Sequence, residues 1–237
     1  MSATMKIHGF NKTTLLDYPK HLAATIFLGN CNFRCPFCHN SSLVLSTDTQ
    51  PSLPVSDVLD TLKSRSGILE GVCITGGEPT ISKDLPAFIQ AVKDIGLKVK
   101  LDTNGSNPLM LQYLLSHQLL DYIAMDIKNS RERYIETIGI PGYSLDAIDS
   151  SISIIQNSGI PYEFRTTIVR EFHNLDDIIA IGKWLEGSSQ YYLQLFLDSG
   201  DILSPGLHAP TNETMLEYRR ALQPYFNTVG IRGMEMN

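Results

Sequence analysis

The sequence has few cysteines, no long apolar run and no excess of basic residues, and each absence excludes a class of protein. Only four of its 237 residues are cysteines, and three of them, Cys31, Cys35 and Cys38, share one short segment. A secreted disulfide framework spreads its cysteines along the chain, so this clustering indicates a metal or cofactor site in a reducing compartment. Because the sequence shows neither a membrane-length apolar run nor a signal-peptide pattern, we expect a cytoplasmic protein.

The charge balance argues against a nucleic-acid or membrane partner. The formal net charge is -6 at pH 7, with 43% hydrophobic and 19% charged residues. A mildly acidic chain lacks the broad positive field that attracts nucleic acids and anionic membranes. The length suffices for one substantial core, so we expect a single domain over residues 1–237.

Short apolar segments alternate with longer amphipathic ones along the chain. The short segments, which are rich in β-branched residues, predict strands at Leu22–Leu28, Gly71–Thr75, Lys98–Asp102, Tyr122–Ile127, Tyr162–Val169 and Tyr191–Phe196. The amphipathic segments predict helices at Val55–Arg65, Lys83–Ile95, Pro108–Gln118, Arg131–Ile138, Leu145–Asn157, Leu175–Leu185 and Thr211–Tyr225. An N-terminal extension of residues 1–20 precedes them.

This alternation predicts an α/β fold with parallel strands joined by right-handed helical crossovers. Six strand–helix units are too few for a closed eight-unit barrel, so we predict a partial (β/α)6 TIM-like barrel that is open on one side. A doubly wound open sheet is the alternative. In both folds, functional groups gather at the carboxyl ends of the strands.

The cysteine loop, residues 29–40, begins where the first predicted strand ends. Its cysteines have the spacing C-x3-C-x2-C, whereas ordinary cubane clusters use four cysteines. The remaining cysteine, Cys73, lies inside the second predicted strand, where a small buried hydrophobic residue is expected. A cubane on this loop would therefore leave one iron without a protein thiolate, open to a chelating amine and carboxylate. The alternative is structural zinc with His39 as the fourth ligand, as in a zinc- or cluster-bearing interaction module.

The cysteine spacing, with Phe37 directly before the last cysteine, resembles the signature of the radical S-adenosylmethionine (SAM) superfamily. The resemblance implies a 4Fe-4S cluster on Cys31, Cys35 and Cys38, whose unique iron binds the amino and carboxylate groups of SAM. It places Phe37 beside the adenine. It also implies reductive cleavage of SAM with an electron from an external donor such as flavodoxin or ferredoxin.

Two further motifs follow the second and third predicted strands. In Gly76-Gly77-Glu78-Pro79, the glycines allow close approach of the backbone to a ligand, and Glu78 can accept hydrogen bonds from an ammonium group. A matching motif in the superfamily binds the amino group of SAM. Asp102-Thr103-Asn104-Gly105 could be a simple turn, but it resembles a motif that lies near SAM in glycyl-radical activating enzymes.

Asp126 and Lys128 end the fourth predicted strand and, being two residues apart, point to the same face. The resemblance implies that this pair contacts the carboxylate and ribose region of SAM. By similarity to formate-lyase activators, it also implies that Asp102, Thr103 and Asp126 hold a monovalent cation beside that carboxylate.

Two polar residues lie inside the last predicted strands. Arg165 interrupts an apolar strand and needs a partner or a polar interior. It is a structural partner of Glu163, a residue at the edge of the sheet or, as we favour, a residue near SAM. Gln194 alternates with Leu193 and Leu195, so it points inward, either to the ligand or to an internal hydrogen bond.

The ends of the chain carry a more specific resemblance. Residues 9–19 (GFNKTTLLDYP) and the terminal Ile231-Arg232-Gly233 are similar to anaerobic ribonucleoside-triphosphate reductase activating proteins. The resemblance implies a partner glycyl-radical enzyme as the protein substrate. Leu197 departs from formate-lyase activators, which have a histidine there. The alternative within the superfamily is a small-molecule enzyme similar to 7-carboxy-7-deazaguanine synthase.

Overall fold

A single eight-stranded sheet forms the centre of the computed structural model, which describes residues 5–45, 47–198 and 200–234. The strands are β1 Ile7–Thr14, β2 Ala23–Leu28, β3 Gly71–Gly76, β4 Lys98–Thr103, β5 Tyr122–Asp126, β6 Tyr162–Ile168, β7 Gln190–Leu195 and β8 Thr228–Arg232. They lie side by side in chain order. All neighbouring pairs from β2 to β8 are parallel, and β1 is antiparallel to β2.

Helices connect the parallel strands. They are α1 Ser41–Leu45, α2 Val55–Ser64, α3 Leu85–Asp94, α4 Pro108–Ser116, α5 Tyr134–Ile138, α6 Asp146–Gln156, α7 Leu175–Trp184 and α8 Asn212–Leu222, with 3-10 turns at Thr47–Thr49 and Pro79–Ile81. Their starts follow local sequence rules: Pro108 opens α4, and Asn174 and Asp177 form a capping box at α7. Within the described ranges, no helix is long and apolar enough to cross a membrane.

The predicted partial barrel is confirmed, and the doubly wound alternative is wrong because the strand order never reverses. The described strands form no closing pair between β1 and β8, so the barrel is open. The sequence did not predict these two strands. The first lies within the supposed N-terminal extension and is antiparallel to β2, whereas the six predicted strands are parallel, as expected. Its Asn11, Lys12 and Thr13 are exposed, which hides the strand pattern.

One face of the sheet is apolar over most of its width. Ile26 on β2, Ile74 on β3, Leu101 on β4 and Ile123 on β5 are fully buried. These residues pair in register and share one face, whereas Lys100, the neighbour of Leu101, is buried on the other face. Because these strands are parallel, their carboxyl ends lie at the same edge of the sheet. The cysteine loop and the motifs after β3, β4 and β5 meet at that edge.

Candidate active site

One cavity of about 1030 Å³, including its solvent-open mouth, lies at the carboxyl ends of the strands. It brings together thirteen of the fifteen residues that the sequence predicts for the site: Cys31, Cys35, Phe37, Cys38, Gly76, Gly77, Asp102, Thr103, Asn104, Asp126, Lys128, Arg165 and Gln194. The two others, Glu78 and Pro79, lie behind the wall.

The cysteine loop carries three unpaired thiols into this cavity. The Arg34 guanidinium holds the loop from within, since its Nη1 donates to the carbonyls of Cys31 (2.6 Å) and Phe33 (2.7 Å). Burial raises the pKa of Cys31 to about 11 and that of Cys35 to about 12. Both thiols are therefore protonated at neutral pH and lose their protons only when they bind metal.

The cavity suits a cluster better than a single zinc ion. Four zinc ligands lie about 2.0–2.3 Å from one ion, so their donor atoms must converge to within roughly 4 Å of each other. His39 and the three cysteines line this cavity, and no group of three or more His, Cys, Asp or Glu side chains among the described residues is placed to hold a single metal ion. The His39 ring packs on Phe196, with ring centroids 5.4 Å apart. A cubane spreads its thiolates over several irons, which three cysteines around one cavity can satisfy.

The two glycines of the motif after β3 join that strand to the cysteine loop. Gly76 has a φ of +115°, and a Cβ atom there would lie 2.3 Å from the carbonyl oxygen of Leu28. The Gly77 amide donates to Leu28 (2.8 Å), and the Glu78 amide donates to the carbonyl of Asn30 (2.8 Å). Glycine is therefore required by the close approach of two backbones.

Glu78 is buried and does not line the cavity, and its expected contact with the amino group of SAM stays a prediction. Its Oε1 accepts hydrogen bonds from the Thr80 amide (3.1 Å), the Thr80 hydroxyl (2.5 Å) and the Thr103 hydroxyl (2.8 Å). Its Oε2 accepts from the Asn104 amide (2.6 Å). Three of these four donors bind Oε1 and one binds Oε2. Glu78 thus ties the loop after β3 to the loop after β4.

Pro79 is likewise absent from the cavity wall. It is buried and opens the 3-10 turn Pro79–Ile81.

Burial raises the pKa of the neighbouring Glu78, and the hydrogen bonds from Thr80, Asn104 and Thr103 act in the opposite direction.

The floor of the cavity is a charged group formed by Asp102, Asp126, Lys128 and Arg165. Arg165 lies between its two carboxylates. Its Nε is 2.6 Å from Asp126 Oδ1, and its Nη2 is 3.0 Å from Asp102 Oδ2. The alternative pairing of Arg165 with Glu163 is wrong, because Glu163 binds Arg232 at 2.5 and 2.7 Å. Arg165 lines the cavity wall, and its favoured role near SAM stays a prediction.

The charges of this floor stabilise one another. Lys128 Nζ lies 3.0 Å from Asp126 Oδ2. Burial by itself would raise the pKa of Asp126, but the Arg165 and Lys128 charges outweigh it and hold this pKa far below its usual range. The pKa of Asp102 is also lowered, because Arg165 and Lys100 overcome the effect of its burial. Both carboxylates are ionised at neutral pH.

His173, which the sequence analysis missed, supports the same region from behind. Its Nδ1 accepts from the Val169 amide at 3.1 Å, so Nε2 carries the proton and donates to the Lys128 carbonyl at 2.9 Å. Its ring lies 6.3 Å from that of Phe37, which also packs on Phe172. A lone histidine after a strand, outside any motif, gives no sequence signal.

Other wall residues were also missed: Phe33, Asn40, Val44, Thr75, Thr167 and Leu195. Thr167 lies two residues after Arg165 on the same face of β6, and this period of two could have identified it. Asn40 donates from Nδ2 to the Gly76 carbonyl (3.2 Å), which adds a further link between the cysteine loop and β3.

The fold and the cavity define a partial-barrel enzyme with a three-cysteine cluster loop. Residues 25–185 match the Radical SAM superfamily. The match covers more than half of the chain, and the protein belongs to this superfamily.

Two relatives extend the comparison. The chain is 29% identical over 232 residues to a protein of Methanocaldococcus jannaschii that has the provisional name glycyl-radical enzyme activating enzyme, and the match covers 95% of both chains. It is 34% identical over 99 residues to 7-carboxy-7-deazaguanine synthase of Thermoplasma acidophilum, which covers 41% of this chain and 43% of the relative.

Solved structures share the fold. Streptococcus suis SuiB bound to S-adenosylmethionine superposes with a TM-score of 0.66 at 14% identity, covering 85% of this chain and 48% of SuiB. A domain of pyruvate-formate lyase-activating enzyme from Bacteroides vulgatus gives a TM-score of 0.57 at 16% identity, covering 69% of this chain and 99% of the domain. Superfamily membership implies a 4Fe-4S cluster and SAM as cofactors, and the three cysteines around one cavity fit the cluster.

Proposed function

We propose that this enzyme reductively cleaves SAM and generates a glycyl radical on a partner protein, an anaerobic ribonucleoside-triphosphate reductase. The observation that carries the proposal is the match to the Methanocaldococcus jannaschii protein over 95% of both chains, which includes the N-terminal segment before the superfamily match. The similarity of residues 9–19 and 231–233 to reductase-activating proteins supports the identity of the partner.

The proposed cofactors supply the one-electron cleavage of SAM to methionine and a 5′-deoxyadenosyl radical, which takes a hydrogen atom from a glycine of the partner. The residues of this chain bind and orient. Cys31, Cys35 and Cys38 hold the cluster, and Phe37 packs beside the adenine. The backbone at Gly76-Gly77 approaches the amino group, because neither residue has a side chain to block it.

The charged floor receives the polar end of SAM in this proposal. Lys128 and Arg165 carry the positive charge that attracts a carboxylate, and Asp102 and Asp126 fix their positions. Thr103 and Asn104 are held by Glu78. The cavity wall therefore consists of groups whose orientation is set before the ligand arrives, which lowers the entropy lost on binding.

A small-molecule reaction is the second candidate, and the identity to 7-carboxy-7-deazaguanine synthase over 99 residues favours it. The two candidates differ in where the radical goes. The first leaves a persistent glycyl radical on a protein, whereas the second yields a modified small molecule and needs no protein partner.

The experiment is anaerobic reconstitution with iron and sulfide, followed by SAM and either dithionite or reduced flavodoxin or ferredoxin. We expect 5′-deoxyadenosine by chromatography and, with the anaerobic reductase present, a glycyl radical by electron paramagnetic resonance. Cys31→Ala abolishes both. The matched control Cys73→Ala, which removes a buried thiol outside the cavity, retains both.

One outcome tests the partner, and another tests the cluster ligands. Formation of 5′-deoxyadenosine with no radical on the reductase would contradict the proposed partner and favour the small-molecule reaction. Loss of iron from Cys73→Ala would overturn the assignment of the cluster ligands.

A further inference from the structure

The monovalent cation expected from formate-lyase activators would use Asp102, Thr103 and Asp126, and the structure shows what these groups already bind. Asp102 Oδ2 lies 3.0 Å from Arg165 Nη2, and its Oδ1 binds the Lys100 ammonium. Asp126 Oδ1 lies 2.6 Å from Arg165 Nε, and its Oδ2 lies 3.0 Å from Lys128 Nζ. Every carboxylate oxygen of the expected site therefore has a cationic nitrogen beside it.

The third expected ligand is also occupied. The Thr103 hydroxyl donates to Glu78 Oε1 (2.8 Å) and accepts from the Gly105 amide (3.1 Å). A hard monovalent cation binds several oxygen donors, and here it would share every carboxylate oxygen with a cationic nitrogen that repels it. The residues present do not fit the cation.

The charge of the floor leads to the same conclusion. Three cationic side chains (Lys100, Arg165 and Lys128) alternate with two carboxylates (Asp102 and Asp126), which leaves a net charge of one positive unit. An added metal ion would raise this charge in a buried site, where water screens the repulsion between like charges only weakly.

Lys100 is the residue that makes this floor unusual. It is 2% exposed and lies two residues before Asp102 on the same face of β4, directed into the barrel. Its Nζ also lies 3.6 Å from the Cys73 sulfur. A buried lysine is retained only where an ion pair offsets the loss of its hydration.

We propose that this enzyme binds SAM without a monovalent metal ion, because the Lys100 ammonium supplies the positive charge on Asp102 that such an ion would supply. The inference rests on the proposed binding of SAM in this cavity. It makes Lys100 a positioning residue, which acts on SAM through Asp102 and Arg165.

The test measures SAM affinity by anaerobic titration calorimetry on cluster-loaded protein. Three buffers of equal ionic strength contain K⁺, Na⁺ or tetramethylammonium, the last being too large for a carboxylate cation site. We expect dissociation constants that agree within about twofold, a difference below roughly 0.5 kcal/mol. Binding that is about tenfold tighter in K⁺ or Na⁺ than in tetramethylammonium would overturn the inference.

Variants test the role of Lys100. Lys100→Met removes the charge at similar length, so we expect SAM affinity to fall about tenfold or more in tetramethylammonium and to recover in K⁺ or Na⁺. Lys100→Arg keeps the charge and should remain insensitive to the cation. Lys98→Met, two residues earlier on the same strand and exposed, is the matched control and should bind SAM like the unsubstituted protein in all three buffers.

The outcomes separate this inference from the proposed function. An equal loss of affinity for Lys100→Met in all three buffers would reduce Lys100 to a structural role and contradict the inference. If Lys100→Met does not fold, the unsubstituted protein and Lys100→Arg still decide. Absence of SAM binding in every buffer, with the cluster intact, would overturn the proposed function as well, whereas cation-dependent binding overturns this inference alone.

Discussion

A Cβ atom on Gly77 would lie 1.9 Å from the carbonyl oxygen of Asn30. The same carbonyl accepts the Glu78 amide at 2.8 Å, so it is held in place. Asn30 has a φ of +68°, a left-handed conformation that asparagine tolerates better than most residues. The start of the cysteine loop and the end of β3 are therefore fitted to each other at backbone level.

This contact makes Gly77→Ala a disruptive substitution. The methyl group must displace a backbone carbonyl, so we expect a loss of about 1–3 kcal/mol in the free energy of unfolding and reduced iron loading, because Cys31 directly follows Asn30. Gly67→Ala is the control, since nothing lies within 4 Å of a Cβ atom there. Denaturation curves and iron analysis test both variants. Full iron loading in Gly77→Ala would show that the cysteine loop tolerates the shift.

Glu78→Gln tests whether the carboxylate serves the protein rather than the ligand. A glutamine amide presents N–H donors on one side, so it faces either the Asn104 amide or the Thr80 and Thr103 donors with the wrong polarity. We expect a loss of about 1–3 kcal/mol in unfolding free energy. SAM affinity should fall because the loop that holds Asn104 loosens. An unchanged unfolding free energy together with lost SAM affinity would instead indicate direct contact with SAM.

Two arginines allow stability and ligand binding to be separated. Arg165→Met leaves one oxygen of Asp102 and one of Asp126 without a cationic partner, although Lys100 and Lys128 still bind the other two. Arg232→Met leaves the fully buried Glu163 without its ion pair. Each substitution should cost about 3–5 kcal/mol of unfolding free energy. Only Arg165 lines the cavity, so we expect only Arg165→Met to abolish SAM binding. If calorimetry shows an equal loss of affinity in both variants, affinity follows stability and not contact.

The sequence was informative wherever a structural requirement is local. Each motif follows a strand directly, and parallel strands carry such ends to one edge, so the meeting of Cys31, Gly77 and Asp102 could be predicted without coordinates. The six parallel strands from β2 to β7 were predicted because they are short apolar segments, rich in β-branched residues, that alternate with amphipathic ones. The extent of the domain, residues 1–237, stays a prediction.

Contacts between distant residues could not be predicted. The direction of the Glu78 side chain depends on Thr103 and Asn104, 25 and 26 residues later. The choice of Arg165 between Glu163 and the aspartates depends on Arg232, which belongs to the unpredicted β8. That strand is short, with five residues of which one is glycine, and it is recognised as a strand by its pairing with β7. These features follow from tertiary packing, which overrides local pattern.

The pH dependence of stability reports on His173. Burial lowers the pKa of this imidazole, despite opposing hydrogen bonds with Lys128 and Val169, and the nearby charges of Asp177 and Arg133 act in opposite directions. The unfolded chain takes up a proton near pH 6.5, whereas folded His173 stays neutral to lower pH. Its contribution to stability is therefore complete above about pH 6.5, falls as the pH decreases towards the folded pKa, and is constant below that value.

His173→Gln removes this titration and keeps a donor for the Lys128 carbonyl. We expect lower stability at neutral pH, because the packing of the ring beside Phe37 is lost, but a shallower decline below about pH 6.5. Urea denaturation over a pH series, with both proteins in the same cluster-loading state, measures the two slopes. Nuclear magnetic resonance titration of the ring provides a direct check on the pKa. Identical slopes in the two proteins would show that another group causes the acid loss of stability. A His173 midpoint at or above pH 6.5 would contradict the neutral, buried imidazole that donates to the Lys128 carbonyl.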